Sequence, residues 1–450
     1  MRSRLWPARC LFVSCAAASA AHPRNGTSVV APFRGLFRAT TMDAMAIYLD
    51  HAATSPLRPE VLAAYTAALP LVGNPSSIHG HGQAARELLE QGRDRVAASL
   101  GADTAEVVLT GGGTEAVNLG IKGLYWQRAG RVAAEGGVSR PRTRNRIIVP
   151  QAEHHATIDS VEWLAAHQGA VLDWIEVDEF GRIRLDALEA ALAVGGDDVA
   201  LVTALWANNE VGTLQPVHEI VAAAARYGVP VHVDAIAAYG SVPIDFHASG
   251  AAALSVSAHK IGGPVGIGAL LLARSASVEP LLHGGNQQRA RSGTQDAAAA
   301  SAFGVAAELA TTNLAEHAAR LAALRDRLVR GIQNTVPGAT LRGDPDPAGR
   351  LPGNAHFTFM GCEGDSLLFL LDVAGFSVST GSACQAGVPE ASHVLLAMGL
   401  SEADARGALR FTLGSDTTAA EIDALLAVLP GVVEQARAAG MAERQPTLGR

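Results

Sequence analysis

The chain has 450 residues, 48% hydrophobic and 17% charged, the composition of a compact globular protein too long for one simple core. Its net charge of −8 excludes the basic footprint of a direct nucleic-acid binder, and no stretch reads as a transmembrane span. The four cysteines, Cys10, Cys15, Cys362 and Cys384, form no C-x-x-C pair and suit neither a zinc site nor a disulfide framework, so free thiols in a reducing, cytoplasmic setting and no metal are expected.

Residues 1–45 differ from the rest. They carry several arginines, a short apolar stretch from Cys10 to Ala21, and no acid before Asp43. They read as a leader or as an overlong N-terminal extension, since Met42 and Met45 precede the first structured segment, and are expected to be disordered. From Ile47 strand-like and helix-like segments alternate. Candidate strands are Glu106–Thr110, Arg146–Pro150, Val171–Val177, Val199–Leu205, Val229–Val233, Ala253–Ser257 and Ile267–Ala273. Most are apolar runs without alternation, as in strands buried on both faces. Helical patterns at Glu115–Arg128, Thr157–His167, Leu185–Ala193 and Val217–Tyr227 lie between them. This order predicts an α/β protein with a mostly parallel sheet. One long helical stretch is expected from about Gln295 to Thr335, followed by a mixed α+β tail. The predicted organisation is a large domain over residues 61–299 and a smaller one from residues 46–60 and 300–440.

Lysine usage singles out one position. Of 35 basic residues only Lys122 and Lys260 are lysines. Arginine cannot be deprotonated to form a Schiff base, whereas a lysine amine can. Lys122 falls in a helical pattern and reads as a surface residue. Lys260 sits in Ser257-Ala258-His259-Lys260-Ile261-Gly262-Gly263, just after a predicted strand.

Other motifs also follow strands. Thr110-Gly111-Gly112-Gly113-Thr114-Glu115 opens a helix, where backbone N–H groups and the helix N-terminus favour an anion; it matches neither a P-loop nor a dinucleotide fingerprint. Val231-His232-Val233-Asp234 ends a strand in a carboxylate, which either caps the next helix or pairs with a heterocyclic nitrogen. Glu153-His154-His155 offers an imidazole for stacking or proton handling, and Asn208-Asn209-Glu210 offers amides. A phosphate cradle, an acid and a singular lysine make pyridoxal phosphate the economical cofactor. Ser379-Thr380-Gly381-Ser382-Ala383-Cys384 puts a thiol in a loop of small residues, unlike most structural cysteines. Cys362 reads as incidental.

On these motifs, with Tyr48-Leu49-Asp50-His51-Ala52-Ala53-Thr54, Gly73-Asn74-Pro75-Ser76-Ser77, Arg291-Ser292-Gly293-Thr294 and Leu409-Arg410-Phe411, the chain from about Ile47 to Pro430 resembles the class V aminotransferase superfamily. Within it the chain resembles the NifS/IscS-type cysteine desulfurases. The resemblance implies the type I pyridoxal-phosphate fold. It assigns Lys260 the cofactor bond, Asp234 the ring nitrogen, His154 the ring face and Asn209 the phenolic oxygen. Gly113, Thr114, Ser257 and His259 are the implied phosphate contacts, with Thr294 another, reached across a homodimer interface. Arg410, with Asn209, would hold the carboxylate of L-cysteine, and Cys384 would receive its sulfur as a persulfide. The implied acceptor is an iron–sulfur scaffold protein or a tRNA-thiolating enzyme. Alternatives are a selenocysteine lyase, another class V C–S lyase, or a weakly active relative. The last rests on one departure: Ala237 stands where the family usually has a glutamine that donates to the phenolic oxygen. Gly113 replaces a common alanine, and Asn286 and Gln288 also depart from the pattern.

Overall fold

The computed structural model describes residues 46–129, 144–285, 287–381 and 391–438. Twelve strands are present among them: β1 Ile47–Tyr48, β2 Val107–Thr110, β3 Arg146–Pro150, β4 Val171–Ile175, β5 Val199–Leu205, β6 Val231–Asp234, β7 Ala253–Ser257, β8 Gly268–Leu272, β9 Ala339–Arg342, β10 Asn354–Phe359, β11 Phe376–Ser377 and β12 Ala408–Thr412. Seven form one sheet in the order β2-β8-β7-β6-β5-β3-β4. The pairs β4–β3, β3–β5, β5–β6 and β6–β7 are parallel, whereas β8 runs antiparallel to both β7 and β2. The sheet is therefore mostly parallel, as its apolar runs predict.

Those runs lack alternation because both faces are covered. Ile148, Val202, Val233 and Leu254 join one core, while Ile147, Val149 and Leu201 pack on the opposite face against Val117, Ile121, Val161 and Leu164 of two helices. All seven residues of β5 are buried, whereas β4, at the sheet edge, is half exposed. The strands Arg146–Pro150, Val199–Leu205 and Ala253–Ser257 have the predicted bounds; the sixth is shifted, running to Asp234 rather than ending at Val233.

A second core is built on the antiparallel sheet β12-β10-β9. Phe357, Phe359, Leu409 and Phe411 meet Leu328, Ile332, Leu425 and Leu429 of helices Leu314–Thr335 and Ala419–Ala438. Leu49 from the N-terminal segment is buried among them. All the described residues belong to one compact unit, Met45–Arg450.

Two expectations need correction. The single helix over 295–335 is two, Ala297–Thr311 and Leu314–Thr335, broken at Asn313, whose φ of 57° is left-handed. Asparagine is among the few non-glycine residues that adopt that conformation readily, and here it caps the start of the second helix. The expected boundary at residue 300 also cuts through the first of these helices. Ala300, Phe303, Ala306 and Ala307 belong to the core of the seven-stranded sheet. The small residues Ala300 and Gly304 let the helix lie close against Gly80–Ser99, a helix the apolar periodicity did not mark. At the crossing a Cβ on Gly92 would fall 2.3 Å from the Ala300 carbonyl oxygen, and one on Gly304 2.8 Å from the Gly92 Cα.

That crossing generates a test in which two effects oppose. Gly92→Ala gains about 1 kcal/mol of helix propensity, but overpacking against backbone costs about 1–3 kcal/mol and the backbone cannot swing aside. Denaturant unfolding is expected to show a net loss; a midpoint equal to or above wild type would refute the close packing.

Candidate active site

Parallel strands bring their carboxyl ends to one edge of a sheet, and the turns leaving them line a common crevice. Here β3 leads to His154, β5 to Asn209, β6 ends in Asp234, and β7 ends in Ser257 and leads to Lys260. A cavity of about 280 Å³ at that edge is lined by His154, Asn209, Asp234, Ile236, Ala237 and Lys260. Ala52, Ala53, Ser379, Gly381 and Arg410 complete its wall from the second sheet and the N-terminal segment.

The charges in this cavity are held under strain by desolvation. Asp234 is 2% exposed and one carboxylate oxygen accepts from the Ile236 N–H at 2.9 Å. Burial pushes its carboxyl up to about 6, against the pull of that hydrogen bond and of the Lys260 charge. Lys260 lies in the turn Ala258–Ile261 and donates to the carbonyls of Ala52 and Ala53. Burial and the Arg410 charge bring its amine down to about 8, opposed by Asp50 and Asp234. Each ion is thus partly unstable as an ion, which is the condition for a functional acid or amine.

His154 is the N-cap of helix His155–Gln168, its Nδ1 accepting from the Ala156 N–H at 3.0 Å. Its ring faces the cavity. Although the residue keeps an exposed face, desolvation at the cavity and then the Lys260 charge lower its imidazole to about 4, so it is neutral at physiological pH. The preceding Glu153 is fully buried; desolvation raises its carboxyl to about 8, and its Oε1 accepts from the Leu205 N–H at 2.8 Å. Sequence reasoning gave Glu153 no task, although its motif was visible.

Arg410 reaches the cavity from β12 and is 5% exposed. Its Nη1 donates to the Asn209 carbonyl at 2.9 Å, and its Nη2 to Asp50 Oδ1 at 2.8 Å. The pairing with Asp50 was not foreseen either. Asp50 lies in the Tyr48–Thr54 motif, but nothing local points to a partner 360 positions away.

The residues expected to contact a phosphate lie nearby. Helix Gly113–Ala129 begins directly after β2 and the glycine turn. A Cβ on Gly113 would lie 2.5 Å from Ile236 Cδ1 and 3.2 Å from Ser257 Cβ, so the helix N-terminus abuts the ends of β6 and β7. Ile236 fills the room an alanine methyl would need, which accounts for glycine at this position. The Ser257 hydroxyl is buried without a hydrogen-bond partner, and Thr114 is exposed in the first turn. His259 is half-buried, with Nδ1 3.2 Å from Thr54 Oγ1 and an imidazole lowered to about 4 by burial and the Lys260 charge.

One predicted site residue, Thr294, stands apart from this group. Thr294 is exposed and lines a separate recess of about 120 Å³ with Thr110, Gly111 and Gly266. Cys384, with Cys10 and Cys15, lies outside the described residues; Gly381, three positions before Cys384, is in the cavity wall. Cys362 is 1% exposed within the second core. Lys122 is half-buried, with its amine 4.5 Å above the Trp163 ring, a cation–π contact rather than a free surface charge. Ala237 sits where the main cavity meets a second one of about 100 Å³ behind Lys260, lined also by His51, Arg58 and His317.

The donor set fits pyridoxal phosphate. It combines a desolvated carboxylate for a ring nitrogen, a neutral imidazole for a ring face, an amine of lowered proton affinity, and an unpartnered buried hydroxyl beside a helix N-terminus for phosphate.

Known proteins are similar over nearly all of this chain. A family model described as aminotransferase class-V matches residues 47–425. An IscS-like cysteine desulfurase of Mycobacterium tuberculosis is 50% identical over 396 residues, covering 88% of this chain and 98% of that protein. A cysteine desulfurase IscS of Clostridium botulinum is 37% identical, covering 87% and 95%. A solved NifS-like protein superimposes with a TM-score of 0.78 at 31% identity, over 87% of this chain and all of that one. The structure of SspA in complex with cysteine superimposes with a TM-score of 0.68 at 29% identity, over 81% and 98%.

The lowered proton affinity of Lys260 is directly testable in the apo-protein, which has only one other lysine. The fraction of free amine rises with pH through the folded value. Pulse acetylation read by peptide mass should therefore show Lys260 reacting with a midpoint near pH 8, and a midpoint above 10 would contradict it.

Proposed function

The chain belongs to the class V aminotransferase family, and on that basis we propose that it is a pyridoxal-phosphate-dependent cysteine desulfurase, converting L-cysteine to L-alanine with transfer of the sulfur. The observation that carries this reading is the meeting of Lys260, Asp234, His154 and Arg410 around one cavity. The level of relatedness to cysteine desulfurases supports the substrate.

The cofactor, when bound, supplies an electron sink for bonds at the substrate Cα. Lys260 holds it and, once its amine is free, takes the Cα proton; an amine titrating near 8 can both accept and return a proton near neutral pH. Asp234 holds a negative charge opposite the ring nitrogen, where the dry surroundings strengthen the pairing. His154 is neutral and can carry a proton at the sulfur or the ring. Asn209 approaches the phenolic oxygen and steadies Arg410 through its carbonyl. Gly113, Thr114, Ser257 and His259 cradle the phosphate, and Thr294 of a second copy adds to it in a homodimer. Arg410 fixes the substrate carboxylate through its planar fork.

Cys384 is the sulfur acceptor. Its thiolate attacks the substrate sulfur, the Cβ–S bond breaks with its electron pair left on carbon, and carbon takes a proton on the way to alanine. The persulfide on Cys384 then passes to an iron–sulfur scaffold protein or a tRNA-thiolating enzyme. Among the described residues no helix is long and apolar enough to cross a membrane, and the cytoplasm is the proposed compartment.

Purified protein supplied with cofactor and cysteine should release alanine and, with a reductant, sulfide in equal amounts. Cys384→Ser should still bind the cofactor and change its absorbance when cysteine is added, yet lose at least about a hundredfold in sulfide release, as expected for loss of a nucleophile. Retention of most of the turnover would exclude Cys384 as the acceptor.

Ala237 favours a second reading, a relative weakened in cofactor retention. Ala237→Gln restores a donor, and a hydrogen bond is worth about 0.5–1.5 kcal/mol, or roughly two- to tenfold in affinity. Because such a bond acts equally in ground and transition states, tighter cofactor binding rather than faster turnover is expected. Titration of the apo-protein decides: equal or weaker binding by the Gln variant means that alanine here is no deficit.

A further inference from the structure

The guanidinium of Arg410 is engaged before any substrate arrives. Its Nη2 bonds Asp50 and its Nη1 the Asn209 carbonyl, while its buried Nε has no hydrogen-bond partner. Arg410 lines the cavity but Asp50 does not, so the Asp50 carboxylate acts on it from behind the cavity wall. The side chains are 6% and 19% exposed, so solvent screens the pair little. Of the acids around the site, Asp234 faces the cavity directly and Glu153 is held neutral by burial. Asp50 is the one ion-paired to the arginine.

We propose that Asp50 is a positioning residue that sets the affinity of the site for α-carboxylates: by sharing the charge of Arg410 it loosens the grip on substrate and product alike. This rests on Arg410 being the group that holds the carboxylate.

Two effects of Asp50 compete. It orients the guanidinium, which favours binding, and it places a second anion near the incoming one, which opposes it. Orientation is duplicated elsewhere: the Asn209 carbonyl holds Nη1, the Arg410 backbone bonds Ser379 in both directions, and β12 is paired residue by residue with β10. The repulsion is not duplicated or cancelled. For anions about 6 Å apart, with the incoming carboxylate open to water on the cavity side and an effective dielectric constant of about 40, it amounts to roughly a tenfold change in affinity. The electrostatic effect therefore decides the sign.

Asp50→Asn keeps the shape and an acceptor oxygen while removing the charge. Calorimetric titration of the holoenzyme with L-alanine should give a Kd roughly tenfold below wild type. With cysteine, KM should fall and kcat/KM rise, with kcat equal or lower. Asp50→Glu, which restores the charge, should return Kd toward wild type. An equal or higher Kd for the Asn variant overturns the proposal and leaves Asp50 an orienting residue only. Should that variant not fold, Asp50→Ser makes the same comparison. Arg410→Gln separates the two claims: it should abolish measurable alanine binding, and unchanged binding would sink Arg410 itself as the carboxylate holder.

Discussion

Everything at this site depends on keeping the Asp234 carboxylate dry. It stands at the end of a strand whose residues are all buried, in a sheet packed on both faces. His232, two residues before it on the same strand, bonds Thr203 Oγ1 at 2.9 Å and Ser255 Oγ at 2.8 Å, so even the polar groups beside it are satisfied within the protein. An anion placed there finds one hydrogen bond, from the Ile236 N–H, and no bulk water. Its remaining demand is for a positive partner, which the ring nitrogen of the proposed cofactor would meet.

The same dryness reaches Lys260 with opposite effect. A carboxyl is pushed toward its neutral form, and so is an amine, so the two groups titrate closer together than free side chains would. The Ala52 and Ala53 carbonyls hold the amine without adding a charge. Asp50, one turn earlier in that segment, meets Arg410 instead. The N-terminal segment thus serves both cations of the cavity, one through dipoles and one through an ion pair.

Two small residues shape the cavity. At Gly113 the space is taken by Ile236, two residues after the buried aspartate, so helix and strand ends lock together by exchange of volume. At Ala237 nothing fills the space, and two cavities meet across it.

The sequence by itself determined the strand order of chemistry. Mainly apolar runs at Arg146–Pro150 and Val199–Leu205 announce buried parallel strands, because alternation is lost when both faces are covered. Polar residues placed directly after such runs are bound for one crevice, since parallel strands end on the same side. Lys260 stood out because arginine is used nearly everywhere else. What the sequence left open depends on approach between distant segments. Arg410 and Asp50 meet because β12 and the N-terminal segment share the second core, while Gly92 and Gly304 meet because two helices cross there. The break at Asn313 and the placement of helix Ala297–Thr311 on the larger core likewise follow from packing, which periodicity along one helix does not report. Local pattern tells which face a residue shows; only the closed tertiary structure decides what stands opposite it, because burial and charge pairing are properties of the assembled surroundings.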